Sequence, residues 1–407
     1  MRMCNLSAVS RIEISNVNKK TKEGEKEVKL CNFTDVYYNW SINNSLKEGL
    51  MKSTANDNQI QRFSIKKGDV AITKDSETRD DIGVSTYIDL DDDDIVLGYH
   101  CALISPDETI LLGSYLNVIL HSAYAQKYFE MNASGSGQRY TLTTEIIGGF
   151  PVPIIDIDLQ RKIGEVFDSI EKKIILNETI CNTEERLAQT LYDYWFTQFD
   201  FPDESGKPYK SNGGKMVWNE EIKKEIPEGW GITTIGEITN CLDSKRIPVS
   251  SKDRAEMQGD IPYYGATGIM GYVDRPIFDG DYVLLAEDGS IMDEEGFPII
   301  QRVSGKVWIN NHAHVLEPKE GYSCKLLMHI LKYIPVIQIK TGSIQMKITQ
   351  DNLNGYKIVN IQEELRKQIN EKLVVIDNTV LQLRRENNKL IALRNYLIPL
   401  VLGGQLK

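Results

Sequence analysis

The 407-residue chain lacks closely spaced cysteines. Its six cysteines are at least 27 residues apart, so the sequence contains no Cys-x-x-Cys pair of the kind that binds zinc or exchanges disulfides. This wide spacing also argues against the disulfide framework that is typical of small secreted domains. We therefore expect a protein of a reducing compartment, the cytoplasm.

Long apolar segments are missing too. No uncharged apolar run approaches the roughly 18 residues of a membrane span, and no basic N-terminal stretch precedes an apolar one. The sequence therefore predicts neither membrane insertion nor export.

Motifs for nucleotide-driven chemistry are also absent. The chain has no GxxxxGK[ST] loop and no Asn-Pro-Pro-Tyr or Asp-Pro-Pro-Tyr run of an amino-methyltransferase. A single Gly-x-Gly at 135–137 is too weak to indicate a cofactor loop. We expect no catalytic residue, cofactor or metal on this chain.

A surplus of positive charge is missing as well. Lys and Arg number 47 against 58 Asp and Glu, a net charge of −11, which argues against a simple basic nucleic-acid binder. By segment, the net charge is −5 in 1–150, −6 in 151–229, −3 in 230–358 and +3 in 359–407. Much of the acidic excess therefore lies outside the second half of the chain. The composition of that second half is compatible with a DNA-reading surface.

The two halves of the chain resemble each other. Gly68-Asp69-Val70 matches Gly280-Asp281-Tyr282, and His100 matches His312, each 212 residues apart. Beyond residue 149 the spacing shortens to 206 residues and continues into long helical patterns. A repeat on this scale indicates a duplicated unit of one globular domain followed by one helix.

We predict an α+β fold with two similar globular domains, separated by two long helices that form an antiparallel coiled-coil spacer. The predicted parts are a first domain at 1–153, a first spacer helix at 154–198, a linker at 199–229, a second domain at 230–358, and a second spacer helix with a C-terminal tail at 359–407.

Both predicted helices carry a seam at heptad spacing. The seam of the first helix is Ile163, Phe167, Ile170, Ile174, Asn177, Cys181, Glu184, Ala188 and Leu191, and that of the second is Leu373, Ile376, Val380, Leu383, Asn387, Leu390, Arg394 and Leu397. Buried in the seam, Asn177 and Asn387 would fix the register at a cost in stability. The alternative is that either one faces solvent.

The predicted helix pair suggests a spacer of fixed length. About 35 helical residues at ~1.5 Å each span on the order of 50 Å, which corresponds to roughly 15 base pairs of duplex DNA. An antiparallel pair would also relate the two domains by a pseudo-twofold axis, as two DNA half-sites are related. Protein partners fit the same geometry.

Several motifs carry a family resemblance. The sequences LYDYWF at 191–196, FDFP at 199–202, GKPYK at 206–210 and PEGW at 227–230 resemble the specificity subunit of type I restriction-modification enzymes. GDIPYYGATG at 259–268, NNHAHV at 310–315 and LRNYLIPL at 393–400 add to it. The resemblance covers nearly the whole chain. The resemblance is loosest over residues 1–65, and the acidic segment from Asp89 to Asp94, which includes the run from Asp91 to Asp94, departs from it.

The resemblance implies a non-catalytic subunit that binds double-stranded DNA. Each globular domain would be a target-recognition domain for half of a bipartite site, and the helices would hold two adenine methyltransferase (M) subunits. Motor-nuclease (R) subunits would join for restriction. S-adenosylmethionine, ATP and Mg²⁺ would then be bound by these partners. The alternative is a scaffold whose duplicated domains bind protein instead of DNA.

We predict DNA contacts in polar loops at equivalent places of the two halves. SGSGQRY at 134–140 aligns with TGSIQMK at 341–347, and the glycines would let the backbone approach phosphate. The alternative for these loops is a plain turn. For Tyr263 and Tyr264 the alternative is a buried hairpin, and for the basic clusters it is a solvated surface. The candidate DNA-binding residues are Lys74, Gly137, Gln138, Arg139, Tyr140, Lys245, Arg246, Tyr263, Tyr264, Thr267, Ser343, Gln345 and Lys347.

Two further patterns resemble metal sites, but we interpret neither as one. His312 and His314 would share one strand face, but no carboxylate or cysteine lies nearby at ligand spacing, which favours ordinary hydrogen-bonded histidines. Asp203 followed by Glu221-x-Lys223 has the spacing of a metal-dependent nuclease. Because both elements lie in the predicted linker, we expect no nuclease site there.

Overall fold

The computed structural model describes residues 2–135, 137, 139–343 and 345–403. The chain divides into a first unit, Met1–Glu178 with Arg384–Lys407, and a second unit, Thr179–Leu383. Each unit therefore contains one globular segment and parts of both long helices. Among the described residues, no helix combines the length and the apolar character needed to cross a bilayer.

A five-stranded sheet lies at the centre of the first unit. In spatial order its strands are Ser10–Ile14, Cys101–Pro106, Val70–Thr73, Ser85–Ile88 and Ser41–Ile42. All neighbours are antiparallel except the last pair. The other strands are Arg2–Asn5 with Pro151–Ile154, Met51–Ala55 with Lys26–Cys31 and Ile95–Leu97, and Ser134–Gly135 with Tyr140–Thr141 and Asp75–Ser76. The helices are Leu6–Ala8, Phe33–Tyr38, Lys47–Gly49, Asp57–Phe63, Gly113–Leu120, Ala123–Asn132 and Thr144–Gly148.

A six-stranded sheet lies at the centre of the second unit. Its spatial order is Thr239–Cys241, Ala313–Pro318, Phe278–Ala286, Ile300–Ile309, Ile261–Tyr264 and Ile269–Val273. The other strands pair as Met216–Asn219 with Lys224–Pro227, Gly231–Thr234 with Lys357–Asn360, and Lys340–Thr341 with Lys347–Ile348. The short helices are Ile235–Ile238, Asp243–Lys245, Ser251–Glu256, Cys324–Lys332, Val336–Ile339 and Gln350–Asn354.

The predicted internal repeat is confirmed in the topology. The first four strands of the two central sheets occur in the same spatial order, although their lengths differ. The pair Arg2–Asn5 and Pro151–Ile154, which flanks the first globular segment, recurs as Gly231–Thr234 and Lys357–Asn360. Both segments mix helices with mainly antiparallel strands, so the α+β class is confirmed.

The first long helix, Ile157–Tyr192, continues into a π-helical turn at Asp193–Thr197, and the second long helix is Glu363–Leu402. In the first unit Asn177 contacts Asn387, and in the second unit the Cys181 thiol lies 3.8 Å from the Val380 carbonyl oxygen. The contact position falls along one helix as it rises along the other. The predicted antiparallel pairing is therefore confirmed.

The segment predicted as a linker, 199–229, has structure of its own. Its second half forms the hairpin of Met216–Asn219 and Lys224–Pro227. In its first half, the Phe201 ring stacks on Trp230 and Tyr209, with ring centroids 5.0 and 4.8 Å apart. The turn-forming residues that suggested a linker lie between these aromatic anchors, which bury apolar surface and hold the segment against the second unit's core.

Two carboxylates of the acidic segment that departed from the resemblance have a lysine partner. Asp89 pairs with the Lys67 ammonium at 2.7 Å, and Asp92 pairs with Lys47 at 2.5 Å. The side chain of Asp91 also accepts a hydrogen bond from the Lys67 backbone amide. The run is thus a turn stabilised by neighbouring lysines.

Candidate nucleic-acid interface

In the first unit, the predicted loop at 134–140 forms the tip of a small hairpin. Ser134–Gly135 pairs with Tyr140–Thr141, and this second strand pairs with Asp75–Ser76. Gly135 has a φ of +137°, and a Cβ there would lie 2.1 Å from the Arg139 carbonyl oxygen, so the turn requires glycine. Gly137 and Arg139 are exposed on this hairpin. Ser136 and the predicted contact residue Gln138 lie outside the described residues.

Arg139 is held by a carboxylate behind the hairpin. One oxygen of Asp75, Oδ2, accepts hydrogen bonds from Arg139 Nη2 at 3.0 Å and Lys74 Nζ at 2.7 Å, and it lies 2.8 Å from His100 Nδ1. Burial by itself would raise the pKa of the Asp75 carboxyl, but the hydrogen bonds from these groups and from Thr141 hold that pKa far below its usual value. Asp75 is therefore a carboxylate at any physiological pH.

These side chains surround an open pocket of about 370 Å³, lined by Lys74, Asp75, Tyr99, Ser134, Gly135, Arg139 and Thr141. The Lys74 ammonium lies over the Tyr99 ring, 5.1 Å from its centroid. The predicted contact residue Tyr140 is half-buried, and the Arg79 guanidinium lies over its ring. The pocket therefore combines cationic hydrogen-bond donors, a carboxylate, hydroxyl groups and an aromatic wall, which are groups that recognise base edges.

The second unit builds an equivalent hairpin from Lys340–Thr341 and Lys347–Ile348. Gly342 has a φ of +77°, and a Cβ there would lie 2.4 Å from the Gln345 carbonyl oxygen. Ser343, Gln345 and Lys347 are all exposed, and Ile344 lies outside the described residues.

A carboxylate also lies behind this second hairpin. The Lys347 ammonium lies 2.7 Å from Glu287 Oε1, and His312 Nδ1 lies 2.6 Å from the neighbouring Asp288 Oδ1. Burial alone would raise the pKa of Glu287, whereas hydrogen bonds from Lys347 and Arg246 bring it below its usual value.

Two predicted cations lie inside the units instead of on an open surface. Lys74 is 8% exposed and bonds to Asp75. The Arg246 guanidinium donates to Glu287 Oε2 at 2.6 Å and to the Ala313 carbonyl oxygen at 2.7 Å. The sequence could not show this burial because both cations meet carboxylates that follow the central strands.

The other candidates of the second unit differ in exposure. Tyr263 is 2% exposed, and Arg254 lies over its ring, which agrees with the buried-hairpin alternative. Tyr264 is half-buried, whereas Thr267 and Lys245 are exposed. Of this group, only Thr267 and Lys245 are available to a large ligand without rearrangement.

The two histidines have separate environments. No carboxylate or cysteine lies at ligand spacing from them in the sequence. Pairing of Thr239–Cys241 with Ala313–Pro318 nevertheless brings Cys241, Asp243 and His314 together in space, with their ligand atoms within 4.8 Å of one another. His314 Nδ1 lies 2.5 Å from Asp243, which Arg246 also contacts. Burial raises the pKa of the Cys241 thiol to about 12. The group is thus charge-balanced as an ion-pair network, and a metal would have to displace the direct Asp243–His314 bond.

The nuclease-like residues have ordinary structural contacts. Asp203 accepts hydrogen bonds from Ser205 and from the Lys207 backbone amide within one turn. Glu221 forms an ion pair with Lys357 at 2.8 Å. Neither carboxylate is buried, and each has a local partner.

Sequence reasoning missed the acidic residues behind the hairpins. Asp75 and Glu287 lie 212 residues apart, which is the spacing of the repeat. Glu287 directly follows the central strand Phe278–Ala286, and Asp75 lies two residues beyond the central strand Val70–Thr73. The sequence carries a signal for them, since an acid occurs at equivalent positions of the two halves, but cations and polar loops are the groups expected to contact DNA.

Comparison with known proteins supports the predicted class. Residues 227–392 match the family described as type I restriction modification DNA specificity domain. The crystal structure of a type I restriction-modification S subunit from M. genitalium shares the fold, with a TM-score of 0.58 over 98% of this chain and 94% of that one at 15% identity.

Two curated relatives from Haemophilus influenzae agree with this class. A chain described as a type I restriction enzyme specificity subunit is 34% identical over 158 residues, which cover 37% of this chain and 40% of that relative. The HindI specificity subunit is 22% identical over 84% of this chain and 87% of its own length. The family match, the relatives and the shared fold all support the resemblance to the specificity (S) subunits of type I restriction-modification systems that was predicted from the sequence.

Proposed function

We propose that the chain reads a bipartite DNA site for a type I restriction-modification complex, one half-site with each unit. The observation that carries this proposal is the duplicated hairpin, which in each unit presents an exposed cation, Arg139 or Lys347, held by a carboxylate. A good bidentate contact to a base edge contributes about 1–3 kcal/mol of discrimination. Two half-sites of a few base pairs each would supply a specificity that neither unit has alone.

The partners follow from the same proposal. Two M subunits would bind the long helices and methylate adenine, and R subunits would join them for cleavage. These partners would bind S-adenosylmethionine, ATP and Mg²⁺, and the chain itself would be non-catalytic. We place the complex in the cytoplasm, where its DNA substrate lies.

Linkage of the two DNA-binding units would also raise the affinity for a site that contains both half-sites. Once one unit has bound its half-site, the second binding event becomes intramolecular, with an effective concentration set by the connection between the units. The gap between half-sites would then be part of the recognised sequence.

The test compares the purified chain alone, the M subunits alone and the reconstituted complex. We expect sequence-specific DNA binding and adenine methylation from the complex, and neither methylation nor specific binding from the chain alone. Binding should weaken steeply with salt, because contacts to phosphate release counterions. Methylation by the chain alone would contradict the proposal, and salt-independent assembly without DNA binding would support a protein-binding scaffold instead.

A further inference from the structure

The two hairpins share a three-part charge arrangement. In the first unit, Asp75 lies between Lys74, whose side chain is 10% exposed, and Arg139, whose side chain is 55% exposed. In the second unit, Glu287 lies between Arg246, at 12%, and Lys347, at 49%. Each acid thus has one buried cation and one exposed cation from the hairpin.

We infer that Asp75 and Glu287 are positioning residues, which hold the hairpin cations Arg139 and Lys347 in place for reading DNA. The inference rests on the proposed function. Neither acid needs to touch DNA, since the side chains of Asp75 and Glu287 are only 9% and 10% exposed.

The charge balance explains why an acid is tolerated beside a polyanion. In the first unit Lys74 neutralises Asp75, so Arg139 keeps its charge available to DNA. In the second unit Arg246 is shared between Glu287 and Asp243, and it offsets the Glu287 charge only in part. Without Lys74 or Arg246, the same carboxylate would cancel the charge of the hairpin cation and weaken its attraction to phosphate.

The geometry also explains how the acid would aid recognition. Asp75 and His100 both contact Nη2 of Arg139, while more than half of the side chain stays exposed beside the open pocket. A long cationic side chain loses rotamer freedom when it binds, and anchoring one nitrogen in advance reduces that loss. It also fixes the plane of the guanidinium, which determines whether its donors match a base edge.

The two units reach this arrangement with different residues. Lys74 directly precedes its acid in sequence, whereas Arg246 follows the strand Thr239–Cys241 and lies 41 residues before Glu287. The hairpin cation is an arginine in one unit and a lysine in the other. What the units share is the charge arrangement, which points to a common requirement at both sites.

The experiment uses the reconstituted complex with M subunits and a DNA library randomised in both half-sites. We expect Asp75→Asn to raise the KM for methylation about 10–100-fold, with kcat little changed, and to relax the sequence preference of one half-site only. Glu287→Gln should relax the other half-site. Asp57→Asn, an exposed acid of the first unit paired with Lys26, is the matched control and should change neither.

A double mutant tests whether Asp75 acts through Arg139. Once Arg139→Gln is present, adding Asp75→Asn should have no further effect on KM or on sequence preference. If Asp75→Asn unfolds the first unit by leaving Lys74 unpaired, Lys74→Gln with Asp75→Asn removes both buried charges and is used instead.

The outcomes separate this inference from the proposed function. A wild-type complex that methylates no DNA would overturn the proposed function and this inference with it. An active wild type would overturn the inference alone if Asp75→Asn leaves the methylated motif and KM unchanged, or if its effect multiplies independently with that of Arg139→Gln.

Discussion

The Asn177 side-chain amide donates a hydrogen bond to Asn387 Oδ1 at 2.8 Å, between the two long helices. Asn387 in turn donates to the Ile174 carbonyl oxygen at 3.2 Å. Both asparagines are buried, at 0% and 8% exposure, among otherwise mainly apolar seam residues. Because a shifted helix would leave these amides buried without partners, we propose that the pair fixes the antiparallel register.

Removing one asparagine of this pair should lower the free energy of unfolding more than replacing both asparagines does. Asn177→Ala leaves Asn387 Oδ1 without its donor, and we expect a loss of about 1–3 kcal/mol in the free energy of unfolding. Replacing both with leucine should restore stability or exceed that of the wild type, since an apolar pair needs no partners. Urea unfolding measures both. Asn182→Ala, an exposed position on the same helix, should stay within about 0.5 kcal/mol of wild type.

The segment 199–229 should behave as part of the second unit. Phe201 is 6% exposed and packs against Trp230 and Tyr209, so Phe201→Ala should cost about 3–5 kcal/mol of stability. In limited proteolysis, the wild-type chain should resist cleavage between residues 199 and 229, and the variant should be cut there first. Rapid cleavage of the wild type in this segment would favour the original expectation of a linker.

One buried histidine gives a pH dependence of stability. Burial, with a smaller contribution from the Lys325 charge, lowers the pKa of His329 to about 4. The unfolded chain, with a histidine pKa of about 6.5, takes up a proton between pH 6.5 and 4 that the native state does not. Stability from this group is therefore complete above pH 6.5 and falls as the pH decreases, by about 2 kcal/mol at pH 5.

His329→Phe should remove this contribution. The phenyl ring can keep the stacking on Tyr192, whose centroid lies 5.4 Å away, and among the described residues His329 Nε2 has no hydrogen-bond partner to lose. Urea unfolding at pH 7.5 and pH 5 should show a smaller loss for the variant than for wild type. Equal losses would show that His329 titrates normally in the folded protein.

The long helices should set the gap between half-sites. We propose inserting one heptad between residues 178 and 179 and another between residues 383 and 384, which preserves the seam on both helices. Seven residues add roughly 10 Å of helix, or about three base pairs of DNA. Sequencing of methylated DNA should show the same half-sites with a longer gap. An unchanged gap would contradict the role of the helices as a spacer.

Periodic features were readable from the sequence, and contacts between distant segments were not. The heptad seam predicted both long helices because its signal recurs every few residues, and the repeat spacing predicted the duplicated unit. The fold of 199–229 depends on the contact between Phe201 and Trp230. The composition of this segment is dominated by turn-forming residues and does not indicate that contact. The positions of Lys74 and Arg246 depend on carboxylates that the sheets bring together. Arg139 lies 64 residues from Asp75, and no local pattern records that pairing.

Methylation of a randomised DNA library by the reconstituted complex tests the central claim most directly. We predict a single bipartite adenine-methylation motif, in which exchanging residues 1–153 for the equivalent segment of another specificity subunit changes one half-site and leaves the other intact. A contiguous motif, or a motif in which the exchange alters both halves, would contradict the assignment of one half-site to each unit.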